Sequence, residues 1–225
     1  MNMSFTRSVS IAALVLGLVT CLPAATIQYV SIEGFLHWGG SSSPREVLDL
    51  SSPEFISNLD ADGLGTFQFD WTNDTGTLLS SLTFSLFIDP DIGRDTNGFF
   101  NEYGEFISLS LPALAPVDAI SFGEWEIDEP GYVFGDIYDN VWLGALDNSN
   151  AVPSSGPAND VSHALLFEIP QLLPGQVLSV TGTLSRTDAA GLAQHDPDSG
   201  ETRYVNGYAL AGEERSTAVP EPGSA

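Results

Sequence analysis

Oxygen-bearing side chains crowd one ten-residue stretch of this sequence: Asp89-Pro90-Asp91-Ile92-Gly93-Arg94-Asp95-Thr96-Asn97-Gly98. Calcium takes roughly six to eight oxygen ligands at flexible distances, and closely spaced Asp and Asn on a turning loop can supply several of them. Asp89, Asp91, Asp95 and Asn97 are therefore the candidate calcium ligands, and calcium is the one cofactor the sequence suggests. The helix-loop-helix calcium template does not fit. With Gly98 at its sixth position, Gly93 and Gly104 fall where the first acid and the bidentate glutamate belong. The alternative is an acidic turn between two strands, since Arg94 repels a cation unless it points away. Asp196-Pro197-Asp198-Ser199-Gly200-Glu201 is a second acidic turn of similar composition.

Gly123-Glu124-Trp125-Glu126-Ile127-Asp128-Glu129-Pro130 invites comparison with sandwich-fold glycosidases, whose strands carry acid and nucleophile on one face. Alternation puts Glu126 and Asp128 together, but Glu129 points the other way and Pro130 ends the strand. A retaining pair needs carboxyls about 5 Å apart. The expectation is therefore no catalytic set here, and acids on the solvated face of an edge strand. His37, His163 and His195 are isolated, with His163 at a strand boundary, and no His-x-His, His-Glu-x-x-His, Gly-x-Ser-x-Gly or phosphate-cradling glycine loop occurs. Trp38, Trp71, Trp125 and Trp142 would stack on sugar rings if exposed in one row, and otherwise belong to a core.

The elements that must position these groups have period two. Thr66-Phe67-Gln68-Phe69-Asp70-Trp71 alternates strictly, Leu82-Thr83-Phe84-Ser85-Leu86-Phe87-Ile88 less so, and Phe106-Ile107-Ser108-Leu109-Ser110-Leu111 repeats the pattern. Residues 27–36, 119–127, 132–137, 163–169, 176–186 and 204–209 are further strand candidates. Asn73-Asp74-Thr75-Gly76 and Leu173-Pro174-Gly175-Gln176 are turns, and the segments they join, 67–88 and 163–184, resemble hairpins. No dozen residues show helical period, residues 187–194 allow at most a turn or two, and 148–160 is the candidate flexible insertion. About nine strands punctuated by tight turns predict an all-β, antiparallel β-sandwich, immunoglobulin-like or jelly-roll.

Composition narrows the function. The chain of 225 residues carries 30 acidic side chains against 6 basic ones, every one of them arginine, for a net charge of -24, a surface that repels nucleic acid. Its 43% hydrophobic and 10% aromatic content supplies a core, so the charge does not imply disorder. The only cysteine is Cys21. Arg7, the apolar run 9–19 and Pro23-Ala24-Ala25 make the three parts of a secretory signal peptide, the run being short for a membrane span. The expected organisation is a signal peptide over 1–25, a β-sandwich over 26–212 and a flexible tail over 213–225, with no transmembrane span.

The tail contains Val219-Pro220-Glu221-Pro222 followed by small residues. With the signal peptide, this resembles the PEP-CTERM sorting signal, and the body is loosely similar to immunoglobulin-like bacterial surface domains. In that family an apolar helix and an arginine-rich end follow the motif; neither is present in this sequence. The resemblance implies Val219, Pro220, Glu221 and Pro222 as the sorting motif. It also implies an exosortase-type processing enzyme as partner and the secreted or cell-surface compartment of a Gram-negative-type bacterium. The resulting expectation is a non-enzymatic surface or extracellular-matrix protein associated with exopolysaccharide. A calcium- or carbohydrate-binding module is the alternative, and a secreted polysaccharide hydrolase the second.

Overall fold

The computed structural model describes residues 30–131 and 133–212; the signal peptide and the sorting motif lie outside them. Two antiparallel sheets pack face to face, as the alternation predicts. The first holds β1 (Val30–His37), β2 (Glu46–Asp49), β5 (Leu79–Pro90), β8 (Glu124–Asp128) and β9 (Ser162–Leu172) in the order β2-β1-β5-β9-β8. The second holds β3 (Phe55–Ser57), β4 (Gly65–Thr72), β6 (Tyr103–Ser108), β10 (Val177–Ser185), β11 (Gly191–Asp196) and β12 (Glu201–Gly212) in the order β3-β4-β10-β12-β11-β6. The two-residue β7 (Ile120–Ser121) pairs with β12.

The strands number twelve rather than nine. Residues 119–127 divide into β7 and β8, and β2, β3 and β11 are additional. Among the described residues 133–137 there is no strand: Ile137 begins the helix α2 (Ile137–Leu143), and the preceding turn contains Gly131 and Gly135 at positive φ. Residues 148–160 are tied to the sheets by bridges from Asn150 to Ile127, Pro153 to Gly104 and Asn159 to Glu102. The two expected hairpins are instead arches from one sheet to the other, because β4 pairs with β10 and β5 with β9. The arch lets Phe69 of β4 face Phe84 of β5 across the core, with ring centroids 5.9 Å apart, where a hairpin would set them side by side. The two turns bond to each other, Asn73 N–H to the Gln176 carbonyl at 2.9 Å and Gly175 N–H to the Asn73 carbonyl at 2.8 Å.

Inside the sandwich Phe67, Phe69, Phe84, Phe122 and Phe167 are almost wholly buried among Leu, Ile and Val. Glycines on the inner faces make room for the large groups. A Cβ on Gly182 would lie 2.1 Å from Phe67 Cζ, and one on Gly34 2.3 Å from Phe84 Cζ. A second, smaller core lies on the outer face of the first sheet, where Ile137 and Val141 of α2 cover Phe35, Phe87, Ala164 and Leu166. β5 and β9 are thus buried on both faces, which is why their apolar runs are nearly continuous.

Candidate functional site

The C-terminal ends of β5, β8 and β11 and the N-terminal ends of β6, β9 and β12 meet at one end of the sandwich, and most of the buried acids collect there. Asp89, at the end of β5, accepts the Ser162 hydroxyl at 2.8 Å. Burial raises its pKa to about 6, with Asp91 adding to the effect and the Ser162 bond and Arg94 opposing it. Asp91 is buried and paired with Arg94 at 3.2 Å, yet burial still holds its pKa above the usual carboxylate range. Asp95 is exposed on the one-turn helix α1 (Arg94–Asn97), and Asn97 donates to Asp196 Oδ2 at 2.6 Å. Of the four expected calcium ligands, Asp89, Asp91 and Asn97 are therefore directed to different partners, and Asp95 is exposed. What the structure joins instead is the two acidic turns: Asp196 also accepts from Asn101 at 2.9 Å and from the Asp198 N–H at 2.8 Å.

Behind this loop Glu102 is completely buried. It accepts the Ile92 N–H at 2.7 Å and a hydrogen bond from the Gln194 amide, which also donates to the Pro90 carbonyl. Burial drives its pKa to about 9 against both donors, so it is protonated at neutral pH. Arg203, buried beside it, donates to the Asp91 carbonyl at 3.3 Å and to Glu201 at 3.1 Å.

The expectation of a solvated face on β8 is corrected. Glu126 and Asp128 do share a face, but α2 and the turn before it cover that face and bury both. Both oxygens of Glu126 accept from Asn140 of α2, at 3.0 and 3.1 Å, and burial raises its pKa to about 7. Asp128 accepts the N–H groups of Glu129 at 2.8 Å and Asp136 at 2.9 Å, and burial raises its pKa as well. Asp136 completes a trio: carboxylate oxygens of Glu126, Asp128 and Asp136 lie within 4.8 Å of one another, the one such convergence among the described residues. Hard oxygen donors at this spacing suit calcium. The turn that brings Asp136 back depends on Gly135 at φ 80, where a Cβ would meet the Glu129 carbonyl at 2.3 Å.

The same turn forms one wall of a cavity of about 270 Å³. Pro130, Val133 and Phe134 face Phe99 and Phe100 from the loop after α1, and the polar lining is two carboxylates, Glu129 and Asp160. Phe99 and Phe100 lie 4.3 Å apart at 45°, and Arg94 sits 5.3 Å from the centre of the Phe99 ring. Asp160, only 9% exposed, has an Oδ1 with no hydrogen-bond partner. Burial, then repulsion from Asp89 and Asp91, raises its pKa to about 7.

The tryptophans form no row. Trp71 is buried and packs against Trp38 at 5.4 Å, Trp125 stacks on Phe106 at 4.4 Å, and Trp142 lies on α2 edge-on to Phe35. His163 lies at the start of β9, the strand boundary expected for it, and is fully buried inside the sandwich with both ring nitrogens unpartnered. The aromatics that do reach solvent beside carboxylates, Phe99, Phe100 and Phe134, were missed by sequence reasoning. Their one signal is aromatic side chains within glycine-rich turns, Gly98-Phe99-Phe100-Asn101 and Phe134-Gly135. Comparison with protein-family models, with curated proteins and with solved structures finds no match. What fold and geometry define is an all-β sandwich with acids and aromatics around a concave site at one end.

Proposed function

We propose that this is an exported, non-enzymatic protein of a bacterial cell surface or extracellular matrix. It would be sorted through Val219, Pro220, Glu221 and Pro222 by an exosortase-type enzyme and hold extracellular polysaccharide in the cavity at the end of its sandwich. The observation that carries the binding reading is the cavity lining: the aromatic side chains of Phe99, Phe100 and Phe134 for the C–H groups of a sugar ring, and the carboxyl groups of Glu129 and Asp160 for its polar substituents. The leader and the tail motif support export. No helix among the described residues is long and apolar enough to cross a membrane.

Calorimetric titration and thermal shift against a glycan panel test the reading. A binding glycan gives heat and raises the melting temperature, and Phe134→Ala reduces both. Reducing ends released from any glycan would overturn the non-enzymatic reading, and finding the chain in the cytoplasm of its native host would overturn export. The convergence of Glu126, Asp128 and Asp136 favours calcium binding as a second reading. Millimolar calcium then raises the melting temperature of the wild type and leaves Asp128→Asn unchanged.

A further inference from the structure

We propose that the cavity selects saccharides bearing a free ammonium group, with the ammonium taken by Asp160 and Glu129 and the sugar ring laid against Phe99, Phe100 and Phe134. The inference rests on the cavity being a saccharide site and names the class of sugar it takes.

Charge is the first ground. Among the described residues the polar side chains lining the cavity are both acids, which when ionised accept hydrogen bonds and offer a sugar no side-chain donor. Behind them stand Asp89 and Asp91, both coupled to Asp160. Two guanidiniums are near. Arg94 is paired with Asp91, and Arg203 is held by Glu201 and the Asp91 carbonyl. Two cations against Glu129, Asp89, Asp91 and a part-ionised Asp160 leave this end of the molecule negative, and a chain without lysine has no compact side-chain ammonium of its own to supply.

The unsatisfied oxygen is the second ground. Asp160 is nine-tenths buried where it lines the cavity, and its Oδ1 has no partner among the described residues. A buried carboxylate oxygen left without a donor is costly. An ammonium held at the cavity wall offsets the buried carboxylate charge across a short distance, which a neutral hydroxyl does not.

The walls decide between an amino sugar and a flexible amine. A cavity of about 270 Å³ holds about one small ring, and three phenylalanine side chains line it. The linear stem of a lysine or a diamine has no comparable flat C–H face to stack. The position of Arg94 over Phe99 illustrates that a cation is accommodated beside these rings.

The test is an NMR titration of the full chain at pH 7 with the methyl glycosides of glucosamine, N-acetylglucosamine and glucose, and with a linear diamine. Single-charge monosaccharides limit diffuse attraction to a protein of net charge -24. The expected result is affinity for the glucosaminide about tenfold above that for either neutral sugar. Asp160→Asn, checked for an unchanged melting curve, abolishes that preference; the less buried Glu129→Gln reduces it if Asp160→Asn fails to fold. Phe134→Ala weakens all three sugars. Equal or tighter binding of the neutral sugars overturns the inference and leaves the saccharide reading standing. Binding of the diamine as tight as that of the glucosaminide, or a preference that survives both carboxylate variants, also overturns it. No response to any of the three sugars defeats both.

Discussion

His163 offers the sharpest test of how the core is built. The ring lies on β9 facing the inside of the sandwich, beside Ile88 and Ile127 on the neighbouring strands, with no exposed surface. The Ala193 backbone pulls its pKa upward, and burial outweighs that pull and lowers the pKa to about 4. Replacement by leucine keeps the bulk and removes two buried groups without partners. At pH 7.5 this raises the unfolding free energy by about 2 kcal/mol, since an unsatisfied buried polar group costs ~1–3 kcal/mol. Acid widens the gap. The unfolded histidine takes up its proton below about pH 6.5 while the folded one resists until about 4, so wild-type stability from this residue is complete above pH 6.5 and drains as pH falls. The loss amounts to about 1.4 kcal/mol per pH unit, reaching about 3 kcal/mol near pH 4. Urea unfolding of wild type and His163→Leu at pH 7.5, 6.0, 5.0 and 4.5 measures the difference directly, with the other titrating groups cancelling between the two proteins. A gap that does not grow with acid would refute the buried, neutral imidazole. A variant less stable than wild type at pH 7.5 would refute the unpartnered nitrogens.

The buried acids act in the opposite sense on the wild type. Asp89 is raised to about 6, Glu126 and Asp160 to about 7 and Glu102 to about 9, so the unfolded chain ionises first and stability present at low pH is lost as pH rises through these values. The wild-type melting temperature is therefore lower at pH 9 than at pH 5, and an equal or higher value at pH 9 contradicts the burial of Glu102. Gly182→Ala forces a Cβ against the Phe67 ring and destabilises by about 1–3 kcal/mol, and adding Phe67→Leu recovers part of that loss in a double-mutant cycle of denaturant midpoints. Asn73→Ala removes bonds to the carbonyls of Thr77 and Leu172, both at 2.9 Å, and from the Thr75 N–H and hydroxyl, lowering stability by about 2–4 kcal/mol in the same assay.

Much of the sandwich is legible because burial on one face leaves a period of two. Phe67, Phe69 and Trp71 read correctly since the other face of β4 meets solvent or polar neighbours. β11 escapes this reading because its buried side chains include Gln194 and Asp196, whose partners Glu102, Asn97 and Asn101 lie some 90 residues away and give no local sign. α2 escapes it because seven residues hold only two apolar i, i+4 pairs, Ile137 with Val141 and Tyr138 with Trp142, over too short a span to declare a helical period. Missing that helix is what made Glu126 and Asp128 look like a solvated edge. The turns, by contrast, are local chemistry, and Asn73 caps its own loop as its sequence predicts.

The two ends of the sandwich treat buried polarity differently, and the contrast bears on function. At the arch end Asn73 is fully buried and satisfied by carbonyls and donors of its own and the neighbouring strand. At the cavity end Glu102, Asp128 and Asp160 are buried as acids, and Asp160 keeps an oxygen without a partner. Stability alone would favour apolar residues of similar size at such places, because desolvating a carboxylate costs more than most pairings return. Acids kept there at a cost to stability, beside solvent-facing phenylalanines on the two loops that flank them, fit the proposed binding reading better than a purely structural cap. That asymmetry, more than the acidity of the chain as a whole, directs attention to one end of the molecule.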